Sequence, residues 1–314
     1  MHKTQIPQDF LKRLEQILPA DRYDQAVSSF EKELPLFLRI NMLKISPEKA
    51  GELLKNEGVS FCDCPDVGEG IRICNWQQAN LKDHALIREG KLYQQSLASM
   101  LAVAALDPQP GERVLDLCAA PGSKTSQIAA RMKNTGLVTA VEPIRGRYYK
   151  LRSVCGLLEC RNVEFKCMDG RRFEARGGLY DRVLVDAPCS SEGRFRADEP
   201  KTFAYWSARK IKEMVKKQRG LLLHAGRQLK PGGTLVYSTC TFAPEENEGV
   251  VDWFLRKAEG GFDITDFPIQ QAQTYPALAS WQKKVFDPRV RQCVRIMPSE
   301  KVQGFFIAKF LKRG

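Results

Sequence analysis

The stretches Ile6–Leu18 and Arg22–Glu33 read as helices, the first entered by Pro7 and closed by Pro19. Leu36–Leu43 reads as a strand, and Pro47 opens a helix through Asn56 that Gly58 ends. Val59–Phe61 and Ile71–Ile73 are short strand candidates around the turn-rich segment Pro65–Gly70. From about Lys91 the pattern changes to alternating β and α. An apolar helix, Leu97–Leu106, precedes strand candidates at Arg113–Leu117, Leu137–Glu142, Val163–Asp169, Arg182–Asp186 and Thr234–Ser238. Helical stretches at Lys124–Met132, Gly146–Cys155 and Ser207–Leu229 lie among them. Short β-branched strands separated by helices predict a parallel sheet covered on both faces. Val290–Met297 and Gly304–Phe310 add two strands with few residues between them, which predicts an antiparallel pair at the end of that sheet.

The candidate chemistry sits where these strands end. Strand one runs into Asp116-Leu117-Cys118-Ala119-Ala120-Pro121-Gly122-Ser123-Lys124-Thr125. A small-residue turn that opens a helix lets backbone N–H groups approach a ligand closely. The turn is neither a G-x-G-x-x-G fingerprint nor a P-loop, and its single glycine suits a pyrophosphate poorly. Glu142 ends strand two and is placed to accept hydrogen bonds from both hydroxyls of a ribose, a feature common to NAD and S-adenosylmethionine sites. Asp169 ends the third predicted strand, within reach of an adenine amino group. Asp186 ends the fourth and is placed to face the ammonium of a methionine moiety. Ligands bind outside the carboxyl ends of such strands, so acids at or beside four successive ends point to one site. A parallel sheet closed by an antiparallel pair fits a methyltransferase-type Rossmann variant better than a plain dinucleotide-binding sheet.

Two loops carry cysteines: Asp186-Ala187-Pro188-Cys189-Ser190-Ser191 after strand four, and Ser238-Thr239-Cys240-Thr241 after strand five. Adjacent strands bring both to one crevice, where a stabilised thiolate is a nucleophile. Beside a methyl donor, the chemistry that requires a thiolate is alkylation at carbon 5 of a pyrimidine. That carbon is a weak nucleophile until sulfur adds to carbon 6 and turns the ring into an enamine.

Composition narrows the setting. The chain has 314 residues, 43% hydrophobic and 27% charged, as a soluble globular protein does. It shows neither a membrane span nor a signal-peptide core, and its ten scattered cysteines predict reduced thiols in a cytoplasmic protein. The net charge is +12, and two segments hold all of the surplus. Arg194–Arg219 has nine basic and three acidic residues, and Lys283–Arg313 has nine and two. Clustered cations favour a polyanionic partner, since phosphate contacts release counterions. Charge alone does not separate RNA, DNA and anionic membrane.

Asp116–Thr125, Asp186–Ser191 and Tyr237–Thr241 together resemble the motifs of the Sun (Fmu) family of RNA cytosine-5 methyltransferases. The likeness extends to Leu38–Asn41, Tyr93–Met100, Leu229–Gly233, Pro244–Glu248 and Gly304–Ala308. The resemblance implies Cys240 as nucleophile and Cys189 as the cysteine assisting proton removal and product release. It implies that Cys118, Ala119, Ala120, Pro121, Gly122, Ser123, Lys124, Glu142, Arg147, Asp169 and Asp186 contact S-adenosylmethionine, with Asp186 also polarising the flipped cytosine. Arg194, Arg196 and the basic run to Arg219 hold the RNA backbone in that reading. Residues 1–90 are expected to hold the amino-terminal helices and a small α+β RNA-recognition-like module, and residues 91–314 the methyltransferase domain. Ribosomal RNA is the favoured substrate, transfer RNA the second, and a monomer the favoured state. Two departures stand out. Ser123 replaces a more usual second glycine, and the chain ends just after the Gly304–Phe310 strand, so RNA grip is expected to rest on the basic surfaces.

Other features read as structural. His84 and His224 are expected at the surface or in the core. Cys62, Cys64 and Cys74 lack the paired knuckles of a zinc site, and no metal is expected. Trp76, Trp206, Trp253 and Trp281 are expected as core or rim anchors. Two competing readings remain: a non-catalytic RNA-binding assembly factor that kept the fold, and a nicotinamide-dependent oxidoreductase, which the missing glycine fingerprint disfavours.

Overall fold

Ser46 shows how closely local signals set the elements: its hydroxyl accepts Lys49 N–H at 3.3 Å, Pro47 occupies the first turn, and the helix runs Pro47–Asn56. The computed structural model describes residues 6–75, 84–175, 177–270 and 272–314. Its residues fall into two compact units, one of residues 35–186 and 224–236, the other of residues 1–34, 187–223 and 237–314. This division differs from the boundary read from the sequence at residues 90 and 91. Trp76 lies outside the described residues.

The chain opens with helices α1 (Gln8–Ile17) and α2 (Tyr23–Ser29), which bury Phe10, Leu14, Ile17 and Ala26 against Phe195, Phe242 and Met297. The next segments form an antiparallel four-stranded sheet. It contains β1 (Phe37–Ile40), β2 (Phe61–Asp63), β3 (Gly70–Ile73) and β4 (Leu92–Gln94), in the order β2-β3-β1-β4. The predicted Leu36–Leu43 strand is shorter because Asn41 turns the chain, its Oδ1 accepting Leu43 N–H at 3.2 Å. Helices α3 (Pro47–Asn56) and α4 (Ala85–Arg88) cover this sheet with Ala50, Leu54 and Leu86.

A helix apolar but for Ser99, α5 (Leu97–Leu106), leads into the alternating segment: β5 (Arg113–Asp116), α6 (Ser123–Arg131), β6 (Leu137–Val141), α7 (Arg145–Leu157), β7 (Val163–Lys166) and β8 (Tyr180–Asp186). β5 pairs in parallel with β6 and β8, and β6 with β7. Helix α8 (Ala208–Gln228) precedes β9 (Leu229–Thr239), and the strand order runs β9-β8-β5-β6-β7. The division between the units falls within β9, after Val236.

The carboxyl-terminal segments add α9 (Glu248–Lys257), β10 (Phe262–Ile264), β11 (Thr274–Pro276), β12 (Ser280–Trp281), β13 (Lys284–Val285), β14 (Val294–Ile296) and β15 (Phe305–Lys312). β14 and β15 form the expected antiparallel pair, with β11 on one edge and β10 also on β15. The predicted strand at Val290 starts later, since Pro288–Gln292 is a 3-10 turn capped by Asp287. The larger sheet is mostly parallel and closed by antiparallel strands, as the pattern of the sequence predicts. No helix among the described residues is long and apolar enough to cross a membrane.

A buried polar relay ties the small sheet to α6. Arg39, fully buried on β1, donates from Nε to Gln95 Oε1 at 2.8 Å and from Nη2 to Ser126 Oγ at 2.7 Å. Gln95 donates to Gln127 Oε1 at 2.7 Å, and Gln127 to Glu69 Oε1 at 2.8 Å. Arg131 closes the relay on Glu69 at 2.7 Å. Burial without full pairing lowers the Arg39 guanidinium to about 10.

Candidate active site

Asp116, Glu142 and Asp186 stand at or just beyond the carboxyl ends of β5, β6 and β8. Asp116 is buried, accepts Thr125 Oγ1–H at 2.8 Å and is pushed up to about 6 by burial. Gly122 opens α6 at φ 109°, a conformation open to glycine, where a Cβ would crowd Leu151 and Val154 of α7. Cys118 lies among Asp116, Asp186 and Glu142, and burial with their charges raises its thiol well above the usual range. Lys124 donates to Asp186 Oδ2 at 2.6 Å, so the start of α6 and the end of β8 are joined by an ion pair.

Glu142 is almost fully buried, accepts Ile144 N–H at 2.9 Å and lies 3.4 Å from Arg147. A carboxylate has about four acceptor positions, so Glu142 keeps acceptor capacity for further donors such as ribose hydroxyls. Arg147 also donates to Ala120 O at 2.9 Å, fixing the loop from behind. Asp169 differs from expectation. β7 stops at Lys166, and Asp169 caps the turn Gly170–Arg172 while pairing with Arg171 at 2.5 Å. That pair holds its carboxyl below the usual range. The donor set fits a sulfonium nucleoside of an amino acid: carboxylates for hydroxyls and ammonium, and the open first turn of α6 for a carboxylate.

The two cysteine loops meet. Cys189 Sγ and Cys240 Sγ lie 3.2 Å apart, both half-buried, and Ser191 Oγ stands 3.9 Å from the first and 3.6 Å from the second. The neighbouring sulfur and burial push the Cys189 thiol well above its usual range, so it carries its proton at neutral pH. Cys189 is thereby a hydrogen-bond donor for a thiolate at Cys240. The loop packs this closely because Gly193 N–H donates to Cys240 O at 2.9 Å, and a Cβ at Gly193 would collide with the Gly304 carbonyl.

Glu246, Ser190, Thr241 and Glu192 lock these loops, and none of the four had been singled out as a site residue from sequence. Ser190 Oγ makes a short hydrogen bond with Glu246 Oε1 and lies 2.7 Å from Thr241 Oγ1, which lies 2.9 Å from Glu192 Oε2. Three oxygen–oxygen bonds need three protons, and the two hydroxyls supply two. One carboxyl therefore holds the third. Glu192 suits the ionised form, since Trp206 Nε1, Phe242 N and Thr241 all donate to it at 2.8–3.0 Å. Burial raises both carboxyls, and Glu246, pushed up to about 8 by burial and the nearby Glu192 charge against hydrogen bonds from the Ser190 side chain, Ser190 N and Gln218, is the one assigned the third proton. The available signal was the run Pro244–Glu248, five residues with three acids beside a cysteine loop.

The folded-state pKa of Glu246 lies above its ordinary value of 4.5, so its contribution to stability is full below that value. It is lost as pH rises through about 8. Glu246→Gln, an isostere of the protonated acid, should remove this share of the alkaline stability loss in melts at pH 7 and pH 9. An unchanged pH slope places the third proton elsewhere.

The remaining candidates are structural. His84 caps α4 through Nδ1 and pairs with Glu57 at 2.7 Å, and buried His224 contacts the Phe173 carbonyl. Trp206 and Trp281 bond Glu192 and Glu245, and Trp253 lies beneath Arg219. The second basic segment is partly spent on ion pairs, while Lys283, Arg291 and Lys301 in it are exposed. Lys284, Arg289, Arg295 and Arg313 are paired with Asp252, Asp287, Glu248 and Asp263.

Comparison with known proteins agrees with this geometry. The 16S rRNA methyltransferase RsmB/F family matches residues 103–311, and the ferredoxin-like domain of RsmF/B-like methyltransferases matches residues 6–78. The tRNA (cytosine(49)-C(5))-methyltransferase of Pyrococcus abyssi is 34% identical over 308 residues, covering 96% of each chain. Ribosomal RNA small subunit methyltransferase F of Escherichia coli (strain HS) is 38% identical over 322 residues, covering 99% of this chain and 64% of its own. The chain spans 52–64% of the length of such methyltransferase F relatives. A methyltransferase homolog from Pyrococcus horikoshii superposes with a TM-score of 0.82 at 29% identity, covering 98% of this chain and 100% of that one. By these matches over nearly its whole length, the chain belongs to the RsmB/F family, the Sun (Fmu) RNA cytosine-5 methyltransferases that its motifs resemble.

Proposed function

We propose that the protein methylates carbon 5 of a cytosine in RNA, with S-adenosylmethionine as donor and a covalent bond between Cys240 and carbon 6 as intermediate. The observation that carries the reading is the pair of sulfurs 3.2 Å apart, brought together by two separate loops. S-adenosylmethionine supplies an electrophilic methyl group. The turn Cys118–Lys124 with Arg147 behind it would cradle that donor, Glu142 would take its ribose hydroxyls, Asp169 its adenine amino group and Asp186 its ammonium. Asp186 would also polarise the flipped cytosine.

Cys240 adds to carbon 6 as a thiolate, and the displaced ring electrons make carbon 5 nucleophilic. A proton must reach the ring nitrogen during addition and another must leave carbon 5 after methylation. Asp186, polarising the cytosine, would hold the first at the ring nitrogen and take it back when the thiolate leaves, and Cys189, beside Cys240, would assist removal of the second. Departure of Cys240 then restores the ring, with the hydrogen bond from Cys189 stabilising the leaving thiolate. The target base has to leave its stack, which costs least in single-stranded or loop RNA. Arg194, Arg196 and the run to Arg219 hold the backbone. The same proposal keeps residues 1–90 as an RNA-recognition part and residues 91–314 as the catalytic part, in a cytoplasmic monomer.

Tritium from labelled S-adenosylmethionine should enter RNA, and bisulfite sequencing with and without the gene should show one lost 5-methylcytosine, in ribosomal RNA first and transfer RNA second. RNA binding without label transfer defeats the catalytic reading and leaves a non-catalytic binding factor.

A further inference from the structure

A cavity of about 420 Å³ opens beside the cysteine loops, and no catalytic role above uses it. Ser191, whose hydroxyl contacts both sulfurs, is also one of its lining residues. The other walls are the end of the amino-terminal helical segment, the stretch Gly193–Thr202 and the loop Pro298–Gln303. Four cations, Lys32, Arg194, Arg196 and Lys201, line it against a single carboxylate, Glu199.

The state of those cations favours an exchangeable anion over a structural role. Arg194 is exposed and its side chain has no ion pair or hydrogen-bond partner among the described residues. Lys201 is 84% exposed and pairs with Glu199 at 3.3 Å, and Lys32 lies 3.5 Å from the exposed Glu300. Exposed pairs of this kind are weak and screened by salt, so a phosphate can displace them. Arg196 is 25% exposed and pairs with Asp198 at 2.9 Å. The backbone at the cavity mouth is constrained. Ser191 adopts φ 61°, a left-handed conformation uncommon outside glycine, and such residues persist where surrounding contacts impose them. Three residues past Thr202, Tyr205 is 87% exposed and stacks on no other ring among the described residues.

We propose that this cavity binds the nucleotide next to the target cytosine, gripping its phosphate and ribose while the target itself lies at the two sulfurs. The proposal rests on the RNA-methylating reading and adds a second contact point, supplied by the amino-terminal segment, Gly193–Thr202 and Pro298–Gln303. A cationic cavity sharing a residue with the nucleophile site is placed for the chain of phosphates leading to a flipped base. Tyr205 offers a stacking surface for a base farther along.

The test uses the full chain, an oligoribonucleotide carrying the target, and Arg194→Ala and Lys201→Ala. Both side chains are exposed, so folding is not at stake, and Arg194→Lys reports on charge alone. Each Ala variant should raise KM and Kd for the RNA about tenfold, with kcat changed less than threefold. Each should also lower the salt dependence of binding by about one phosphate contact. A neutral methylphosphonate at the 5′ or the 3′ neighbour of the target should reproduce the KM effect in wild type and add nothing in Arg194→Ala. Wild-type KM and salt dependence in both Ala variants overturn the subsite. RNA binding that weakens in the variants while no enzyme form methylates RNA supports the subsite and overturns the catalytic reading.

Discussion

Cys240→Ala should lower methyl transfer by roughly ten-thousand-fold or more, as removal of a covalent nucleophile does. Cys189→Ala should instead stop after the first half of the reaction, leaving RNA bonded to the protein. The difference follows from the roles that the family resemblance implies for the two sulfurs, which lie 3.2 Å apart. Both sulfurs lie at one point, but the Cys189 thiol is raised well above its usual range and the two differ in the loops that carry them. Without Cys189, addition through Cys240 still occurs, while removal of the carbon-5 proton and departure of the thiolate lose their assisting group. A denaturing gel with labelled RNA reads the result directly: a shifted band for Cys189→Ala and none for Cys240→Ala. Normal turnover by Cys189→Ala together with residual activity in Cys240→Ala would sink the assignment. Reversal of the two phenotypes would exchange the roles.

The largest stability effect is expected at the buried pair Arg295–Glu248. Glu248 accepts Arg295 Nε and Nη2 at 2.6 Å each and Leu278 N–H at 2.9 Å, and both side chains are at most 2% exposed. The remaining Arg295 nitrogen, Nη1, donates to the carbonyl of Phe242, two residues past Cys240. Removing one partner of a buried pair leaves an uncompensated charge, at a cost of about 3–5 kcal/mol. Glu248→Ala should therefore shift chemical denaturation by that amount. Arg295→Lys should recover little of what Arg295→Ala loses, because an ammonium cannot bond Glu248 through two parallel donors and also reach Phe242. Because Phe242 O is one of the acceptors, both variants should also slow adduct formation more than they weaken RNA binding. A denaturation midpoint within experimental scatter of wild type would show that the pair is dispensable.

Much of this molecule is legible in its sequence wherever the signal is local. Pro47–Asn56 and Leu97–Leu106 begin and end where caps, Pro and apolar density place them. The parallel strands follow from β-branched runs bounded by turns, and β14 with β15 from the closely spaced pair near the end. Boundaries moved where a side chain captured the backbone: Asn41 shortened β1, Asp287 delayed β14, and Asp169 became a turn cap beyond β7. The helix Glu248–Lys257 escaped notice.

The sequence by itself determined the two cysteine loops, the carboxylates at the strand ends and the concentration of positive charge. Each of these depends on residue type and position along a strand, and periodicity reports both. Only the tertiary structure decided which cations are available and how the cysteine loops are held. In Lys283–Arg313, Arg295 and Arg313 are spent on Glu248 and Asp263, 47 and 50 residues away in the chain, while in Arg194–Arg219 Arg196, Lys201 and Lys217 pair with acids of their own segment and Arg194 does not. Likewise the proton shared along Glu246, Ser190, Thr241 and Glu192 depends on oxygens from two loops meeting within hydrogen-bond distance. Pairing, burial and proton count are properties of spatial neighbours, and a linear pattern holds no record of them until the chain has folded.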